Sequence, residues 1–297
     1  MSGLNIVIPS QPIPDLAAYL DQGGGIGLET ARRFGPDATI EEITASGLRG
    51  RGGGGFPTGA KWASIRRSGG GRHFVVANGA EGEPATFKDR VLMMADPYRV
   101  IEGLAIAAFA VDAKDVYLAT KASFVDVVAR LRSAVLEMEQ NGMLGGLSVT
   151  IVEGPDEYLF GEEKALLEVI EGREPLPRQL PPWQHGLFAT VPMGWESATA
   201  PGTDPPVSNP TLINNVETLA SVTHILERGS VVVSRVGNGG LSGNDHRDDR
   251  GRRRTPRGSR GRDGNDTLDR ARDVWWSPRG PEVQGGTLGC VQPGSCG

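Results

Sequence analysis

Residues 46–62 read SGLRGRGGGGFPTGAKW, where Gly50, Gly52, Gly53, Gly54 and Gly55 stand among Arg49, Arg51 and Lys61. Glycine permits positive φ and lets a ligand approach the main chain without meeting a Cβ. Successive exposed N–H groups form a concave anion site, and Arg51 and Lys61 add full positive charges. The chemistry that suits this stretch is capture of a phosphorylated ligand. A mobile surface loop is the competing reading of any glycine cluster. Phe56, Pro57 and Trp62 argue against it, because flexible linkers rarely carry stiff apolar residues.

Two familiar phosphate loops do not account for the stretch. Gly50, Gly52 and Gly55 fit G-x-G-x-x-G, but that fingerprint follows a β-strand. The preceding ATIEEITASG reads as a helix with Ile40, Ile43 and Thr44 on one face and Gly47 as its stop. Gly54 and Gly59 have the separation of a P-loop, yet Ala60 stands where its lysine belongs.

Other polar residues could join this chemistry, each with a plain alternative. The Asn78 amide can bond a phosphate, a sugar chain or a ring, or can simply terminate a strand. Glu81 and Glu83 suit sugar hydroxyls, or are solvated turn carboxylates. Gly161, Glu162 and Glu163 open a helix, where acidic residues are favourable in any case. Asn214 and Asn215 precede a helix and could cap it.

The elements that must position these residues alternate. RHFVVANGA (72–80), DVYLATKA (115–122) and LSVTIVEGP (147–155) are strand candidates. Between them lie helix candidates: DRVLMMADPYRVIEGLAIAAFAVD, broken near Pro97, and SFVDVVARLRSAVLEMEQNG, with Ser123 as N-cap and Gly142 as stop. GEEKALLEVIEG and INNVETLASVTHILERG read as later helices. Such alternation implies an α/β fold with a parallel sheet, whose ligands collect beyond the carboxyl ends of the strands.

Composition narrows the classes. A chain of 297 residues has ample length for a buried core, and a net charge of −5 gives no electrostatic case for nucleic acid. Cys290 and Cys296 are the only cysteines, so no disulfide framework is implied. The start has no basic n-region, and no stretch reaches about 18 uninterrupted apolar residues. The expectation is a cytoplasmic protein without a membrane span. After Gly229 the character changes. Residues 230–297 carry twelve arginines, no lysine and eight acidic residues, a net of +4 that leaves −9 on the rest. This composition cannot offset the entropy of ordering, so the expectation is a folded domain at 1–229 and a disordered Arg/Gly-rich tail with the character of a frame-shifted end.

SGLRGRGGGGFPTGAKW, NGAEGEPATFKDR (78–90), YLFGEEKALLEVIEG (158–172), PRQLPPW (177–183) and NPTLINNVETLASV (209–222) together resemble, in order, the NADH-binding flavoprotein subunit of respiratory complex I and its relatives in NAD-linked hydrogenases and formate dehydrogenases. The resemblance implies a modified doubly wound parallel sheet that binds FMN through the glycine-rich loop and takes hydride from NADH. It implies FMN contacts from Gly50, Arg51, Gly52, Lys61, Asn78, Glu81, Tyr158, Gly161, Glu162, Asn214, Asn215 and Thr218. NADH contacts are implied for Phe56, Glu83, Glu163 and Trp183. Electrons would leave to an iron–sulfur partner subunit, which would place the chain peripheral to the inner membrane. No protein nucleophile is implied. Ala80, Ser64 and Leu180 depart from the family pattern, which has an aspartate, an aromatic and a basic residue there. The family's 4Fe–4S cluster needs four thiols, and two cannot supply them. A flavin-binding module or a non-functional fragment without turnover, lacking the family's iron–sulfur domain, is the alternative.

Overall fold

The computed structural model describes residues 7–190 and 206–229. The 230–297 tail assigned from composition lies outside them. Four strands form one all-parallel sheet: β1 His73–Asn78, β2 Ala113–Lys121, β3 Ser148–Gly154 and β4 Thr211–Asn215, in the order β3-β2-β1-β4. β1 is central and reads HFVVAN, with Phe74 to Ala77 buried. An uninterrupted apolar run is what a parallel strand covered on both faces requires. β3, at the edge, has only exposed and half-buried residues before the buried Gly154.

Nine helices pack around the sheet among the described residues. The amino-terminal part gives α1 Leu16–Asp21, α2 Ile26–Phe34 and α3 Pro36–Ala45, followed by α4 Thr58–Arg67 directly after the glycine-rich loop. Between β1 and β2 run α5 Lys88–Ala95 and α6 Pro97–Val111, and α7 Val125–Gln140 joins β2 to β3. A 3-10 turn, Tyr158–Gly161, leads into α8 Glu163–Ile170, and α9 Val216–Arg228 follows β4. The break at Pro97 is as the sequence predicts: Pro97 takes the first turn of α6, and the Asp96 side chain caps it by accepting from Arg99 N at 3.0 Å.

α6 is buried on nearly every side and forms the axis of the main core. It crosses α9 closely because Gly103 has no side chain; a Cβ there would stand 2.1 Å from Leu219 O. A smaller core on the other face of the sheet joins Phe74, Val76, Ala119 and Ile213 to Phe160, Leu166, Leu167 and Leu187.

Two local readings need correction. Ile213–Asn215 are not the start of a helix but the end of strand β4, in register with Val76–Asn78 of β1. The apolar spacing of Ile213, Val216 and Leu219 fits a helix, and a five-residue strand is too short for periodicity to overrule that. Ser123 does not cap α7. Phe124 holds the cap position without a side-chain bond, and the Ser123 hydroxyl donates to Asp156 Oδ1 instead.

Candidate functional site

β2 and β3 lie on one side of β1 and β4 on the other, so the connections diverge between β1 and β4. In an open parallel sheet the crevice beyond the carboxyl ends at such a point is where ligands bind. Asn78 ends β1, Asn215 ends β4, and the two are paired in register. The glycine-rich loop arrives at the same place. Its neck is closed by Thr58 N to Leu48 O at 2.9 Å and Gly50 N to Phe56 O at 2.9 Å. The Arg49 guanidinium donates to Gly55 O at 3.1 Å, and Arg51 N donates to Thr218 Oγ1 of α9 at 2.9 Å. Gly52 packs on Asn215, whose Cβ would lie 3.4 Å from a Cβ added there.

The loop, so fixed, keeps unused capacity. The amides of Gly52, Gly53, Gly54 and Gly55 donate to no acceptor among the described residues. A Cβ at Gly53, Gly54 or Gly55 would meet nothing within 4 Å. Gly53 and Gly55 have φ of +103° and +58°, the left-handed region that favours glycine. Arg51 Nε is buried without a hydrogen-bond partner, its closest carboxylate being Glu217 Oε1 at 4.0 Å. Buried polar atoms are ordinarily satisfied, and an exception marks strain or a missing ligand. Four free amides beside an unsatisfied guanidinium fit the phosphate of a nucleotide cofactor such as FMN.

Around the strand ends the polar groups interlock. Asn78 Nδ2 donates to Gly161 O at 2.8 Å, and Asn78 Oδ1 accepts from Ala80 N at 3.1 Å. Gly161 lies so close to this turn that a Cβ would sit 2.9 Å from Ala80 O. Ala80 itself is buried in the smaller core. The buried Asn214 accepts from Trp62 Nε1 at 2.7 Å. Asn215 caps α9 by accepting from Glu217 N at 3.0 Å, while its Nδ2 donates to Asp89 Oδ2 at 2.7 Å.

Lys88 enters here although its place in the sequence does not single it out. Its ammonium donates to Asp89 Oδ1 at 2.6 Å and Asn215 Oδ1 at 3.2 Å and is ion-paired with Glu217 Oε2 at 3.0 Å. Burial works against the Lys88 charge, but Asp89 and Glu217 outweigh it and hold the ammonium above the usual lysine range. Burial pushes the Asp89 carboxyl up against the opposing pull of Lys88 and Asn215. A lysine and an aspartate in the first turn of a helix look ordinary in sequence. Only the pairing of β1 with β4 brings them to the crevice.

The carboxylates predicted from sequence divide into different roles. Glu81 is turned into the protein, accepting from Asp89 N at 3.2 Å and Arg90 Nε at 3.3 Å. The Arg90 guanidinium also lies over the rings of Phe124 and Phe87, at 4.7 and 5.7 Å from their centroids. Glu81 therefore holds the turn rather than facing the crevice. Glu83 accepts from the Tyr158 hydroxyl at 2.6 Å, tying this turn to the 3-10 segment. Glu162 caps α8, accepting from Lys164 N at 2.8 Å and Ala165 N at 3.0 Å. Glu163 is ion-paired with Lys61, whose Nζ also donates to Ile213 O of β4 at 2.7 Å. Phe56, Tyr158 and Trp183 are exposed aromatics, and none of them stacks on another ring among the described residues. A separate open groove between α3 and α4 is lined by Ile40, Ala45, Ala60, Ala63 and others; it contains none of the predicted site residues.

A parallel sheet with a glycine-rich loop and two asparagines at its switch point defines a nucleotide-cofactor-binding α/β protein. Residues 43–224 match the family model of the Nuo51 FMN-binding domain, and the chain belongs to that family. It is 37% identical over 246 residues to an NADH-quinone oxidoreductase subunit of Rhizobium meliloti, covering 78% of this chain and 54% of that protein. It is 38% identical over 224 residues to the corresponding NADH-quinone oxidoreductase subunit of Streptomyces coelicolor, covering 72% of this chain and 46% of that one. A crystal structure of an NAD+-reducing [NiFe]-hydrogenase in the air-oxidized state superposes with a TM-score of 0.60 at 32% identity, over 74% of this chain and 36% of the hydrogenase chain. The chain thus spans about half the length of the curated relatives it matches.

No helix among the described residues is long and apolar enough to cross a membrane. Cys290 and Cys296 lie outside the described residues.

Proposed function

We infer that this chain binds FMN in the crevice between β1 and β4 and accepts hydride there from NADH, acting as the electron-entry module of an NADH dehydrogenase-type oxidoreductase. The observation that carries this reading is the preorganised glycine loop, with four free amides beside an unsatisfied Arg51 Nε. FMN, when bound, supplies a two-electron acceptor that can release electrons singly. The protein's part is orientation, exclusion of water and local charge. The loop amides and Arg51 would hold the phosphate, with Gly50 and Gly52 giving the backbone room and Thr218 pinning the loop. Asn78, Asn214 and Asn215 would offer amides at the strand ends. Glu81, Gly161 and Glu162 would act by fixing the backbone around the site. Phe56, Glu83, Glu163 and Trp183, with Tyr158 beside Glu83, would form the NADH side. Lys61 is held between Glu163 and β4, so its charge would act at the junction of the two ligands. Electrons would pass to an iron–sulfur partner subunit, with the protein on the cytoplasmic face of the membrane.

The test is equilibrium titration by flavin fluorescence. FMN quenching is expected at micromolar concentrations or below. Arg51→Ala should weaken it by the worth of a charged hydrogen bond, about 1.5–3 kcal/mol. Lys61→Ala should weaken it too, while also leaving Glu163 without its partner. Absence of quenching at high micromolar FMN would overturn the reading. With FMN bound, anaerobic mixing with NADH separates the enzyme from a module without turnover: bleaching of the flavin band supports hydride transfer, and none at millimolar NADH leaves binding alone.

A further inference from the structure

Glu217 and Lys88 carry a consequence beyond the family's use of the loop. The Lys88 ammonium has three N–H donors and three oxygen neighbours, two hydrogen-bonded and one ion-paired. Asp89 and Asn215 are two of them, and both belong to the fixed network at the strand ends. The third is Glu217 Oε2 at 3.0 Å. The other oxygen of that carboxylate points toward Arg51 and stops 4.0 Å from Nε, too far for a hydrogen bond. One carboxylate therefore spans two cations and holds only one of them at ion-pair contact distance, in the first turn of α9 and on the side where the glycine-rich loop meets that helix. A phosphate could bridge the same two cations with oxygens to spare for the loop.

We propose that Glu217 is the resident counter-ion of the phosphate subsite, which the cofactor's phosphate displaces from Lys88, and that Lys88 is then a second cationic contact of that phosphate alongside Arg51. The inference rests on the FMN reading above. It assigns opposite signs to two neighbouring residues. Glu217 competes with the ligand, so removing its charge strengthens binding. Lys88 attracts the ligand, so removing its charge weakens binding. A purely structural role for the pair would make both substitutions weaken binding, through the same loss of order.

The full chain is titrated with FMN and, separately, with riboflavin, which lacks the phosphate. Glu217→Gln keeps the size of the side chain and an acceptor for Lys88. It should tighten FMN about 5-fold, the scale of one screened charge within several ångströms. Lys88→Gln should weaken FMN by about 10-fold or more, and Lys88→Arg should restore most of the loss. Riboflavin affinity should stay within about 2-fold of wild type in all three variants, because the effect belongs to the phosphate. A gain in affinity cannot arise from misfolding, so Glu217→Gln remains decisive even if Lys88→Gln is poorly folded. Unchanged or weaker FMN binding in Glu217→Gln overturns the proposal. Equal changes for FMN and riboflavin also overturn it. If the wild-type chain quenches neither flavin, the FMN reading fails first and the proposal falls with it.

Discussion

The two ends of α9 carry two polar clusters built from the same residue types to opposite purposes. At its amino end Arg51, Lys88, Asp89, Asn215 and Glu217 surround an open crevice, with one guanidinium nitrogen unsatisfied and four loop amides unused. Toward its carboxyl end Arg99 is held by Asp96 Oδ2 at 3.1 Å, Thr223 Oγ1 at 2.9 Å and Glu227 Oε1 at 2.6 Å, and lies over the Tyr19 ring. Nearby, the fully buried Glu102 accepts from Tyr19 Oη, from Gly25 N at 2.8 Å and from Leu28 N at 2.8 Å. Its partners come from both ends of the α1–α2 turn, so this cluster staples the amino-terminal helices to α6. Only His224 Nε2 is left over there. Charge alone does not distinguish the two clusters; spare hydrogen-bonding capacity beside the glycine-rich loop does, and the proposed FMN site rests on it.

That contrast can be broken most sharply at Glu102. Glu102→Ala leaves two buried donors, Tyr19 Oη and Leu28 N, and the part-buried Gly25 N without an acceptor, the buried ones costing roughly 1–3 kcal/mol each. The expected loss is about 3 kcal/mol or more in a urea unfolding curve. Glu217→Gln, partly exposed and isosteric, should cost less than about 1 kcal/mol by the same measurement. A Glu102→Ala chain as stable as wild type would mean that the staple contributes nothing. Its neighbour Gly103 tests the packing beneath the staple. A methyl group 2.1 Å from Leu219 O must push the α6 and α9 backbones apart. Overpacking of this kind costs typically about 1–3 kcal/mol, again read from unfolding.

Much of the fold that positions these clusters could be seen in the sequence, and the part that could not has physical reasons. β1, β2 and β3 were legible as short segments rich in β-branched and aromatic residues, with candidate ends at glycine, alanine or proline, and α6 because Pro97 breaks the helical pattern before it. β4 was not, because five residues leading straight into α9 share its apolar spacing. The five-motif order pointed to the crevice. The direction of a side chain was beyond it: Glu81 and Glu83 are two residues apart, yet Glu81 is pulled inward by Arg90 and Glu83 is left at the surface with Tyr158. Arg90 takes that position because Phe87 and Phe124 flank it, and Phe124 comes from the start of α7. Such pairings depend on tertiary packing that no local pattern encodes.

A smaller effect separates the clusters by pH. Burial raises the Glu227 carboxyl, but the His224 bond and the Arg99 guanidinium outweigh it and hold it below its ordinary value of 4.5. A depressed folded value means that the unfolded chain binds the proton more readily. The stabilisation is therefore complete above about pH 4.5 and is lost as pH falls through the folded value. Glu102 and Asp96 run the other way, because burial raises both against their bonding partners. Glu227→Gln should cost about 1 kcal/mol near neutral pH, and its melting temperature should converge on that of wild type in acid. A constant gap between the two melting curves down to about pH 3 would show that the carboxylate charge is irrelevant there.

The smallest expected effect on stability falls on the crevice side, at Gly54. Its backbone is not in the left-handed region, unlike that of Gly53 and Gly55, and a Cβ there would meet nothing within 4 Å. Alanine at such a position is free of strain and narrows the unfolded ensemble, so stability should be unchanged or rise by about 0.4–1 kcal/mol. In melting temperature that is at most a few degrees, about 2–4 °C per kcal/mol for a domain of this size. The space that the methyl group would fill is, however, the space from which a ligand reaches the loop amides. FMN affinity should therefore fall by about 10-fold or more, the equivalent of losing one charged hydrogen bond. Gly53→Ala serves as the contrast: at φ +103° it should lose both stability and flavin. The pair separates what the fold needs from what the ligand needs within two adjacent residues. If Gly54→Ala binds FMN as tightly as wild type, the unused amides are not the seat of the phosphate, and the distinction between the two ends of α9 loses its functional meaning.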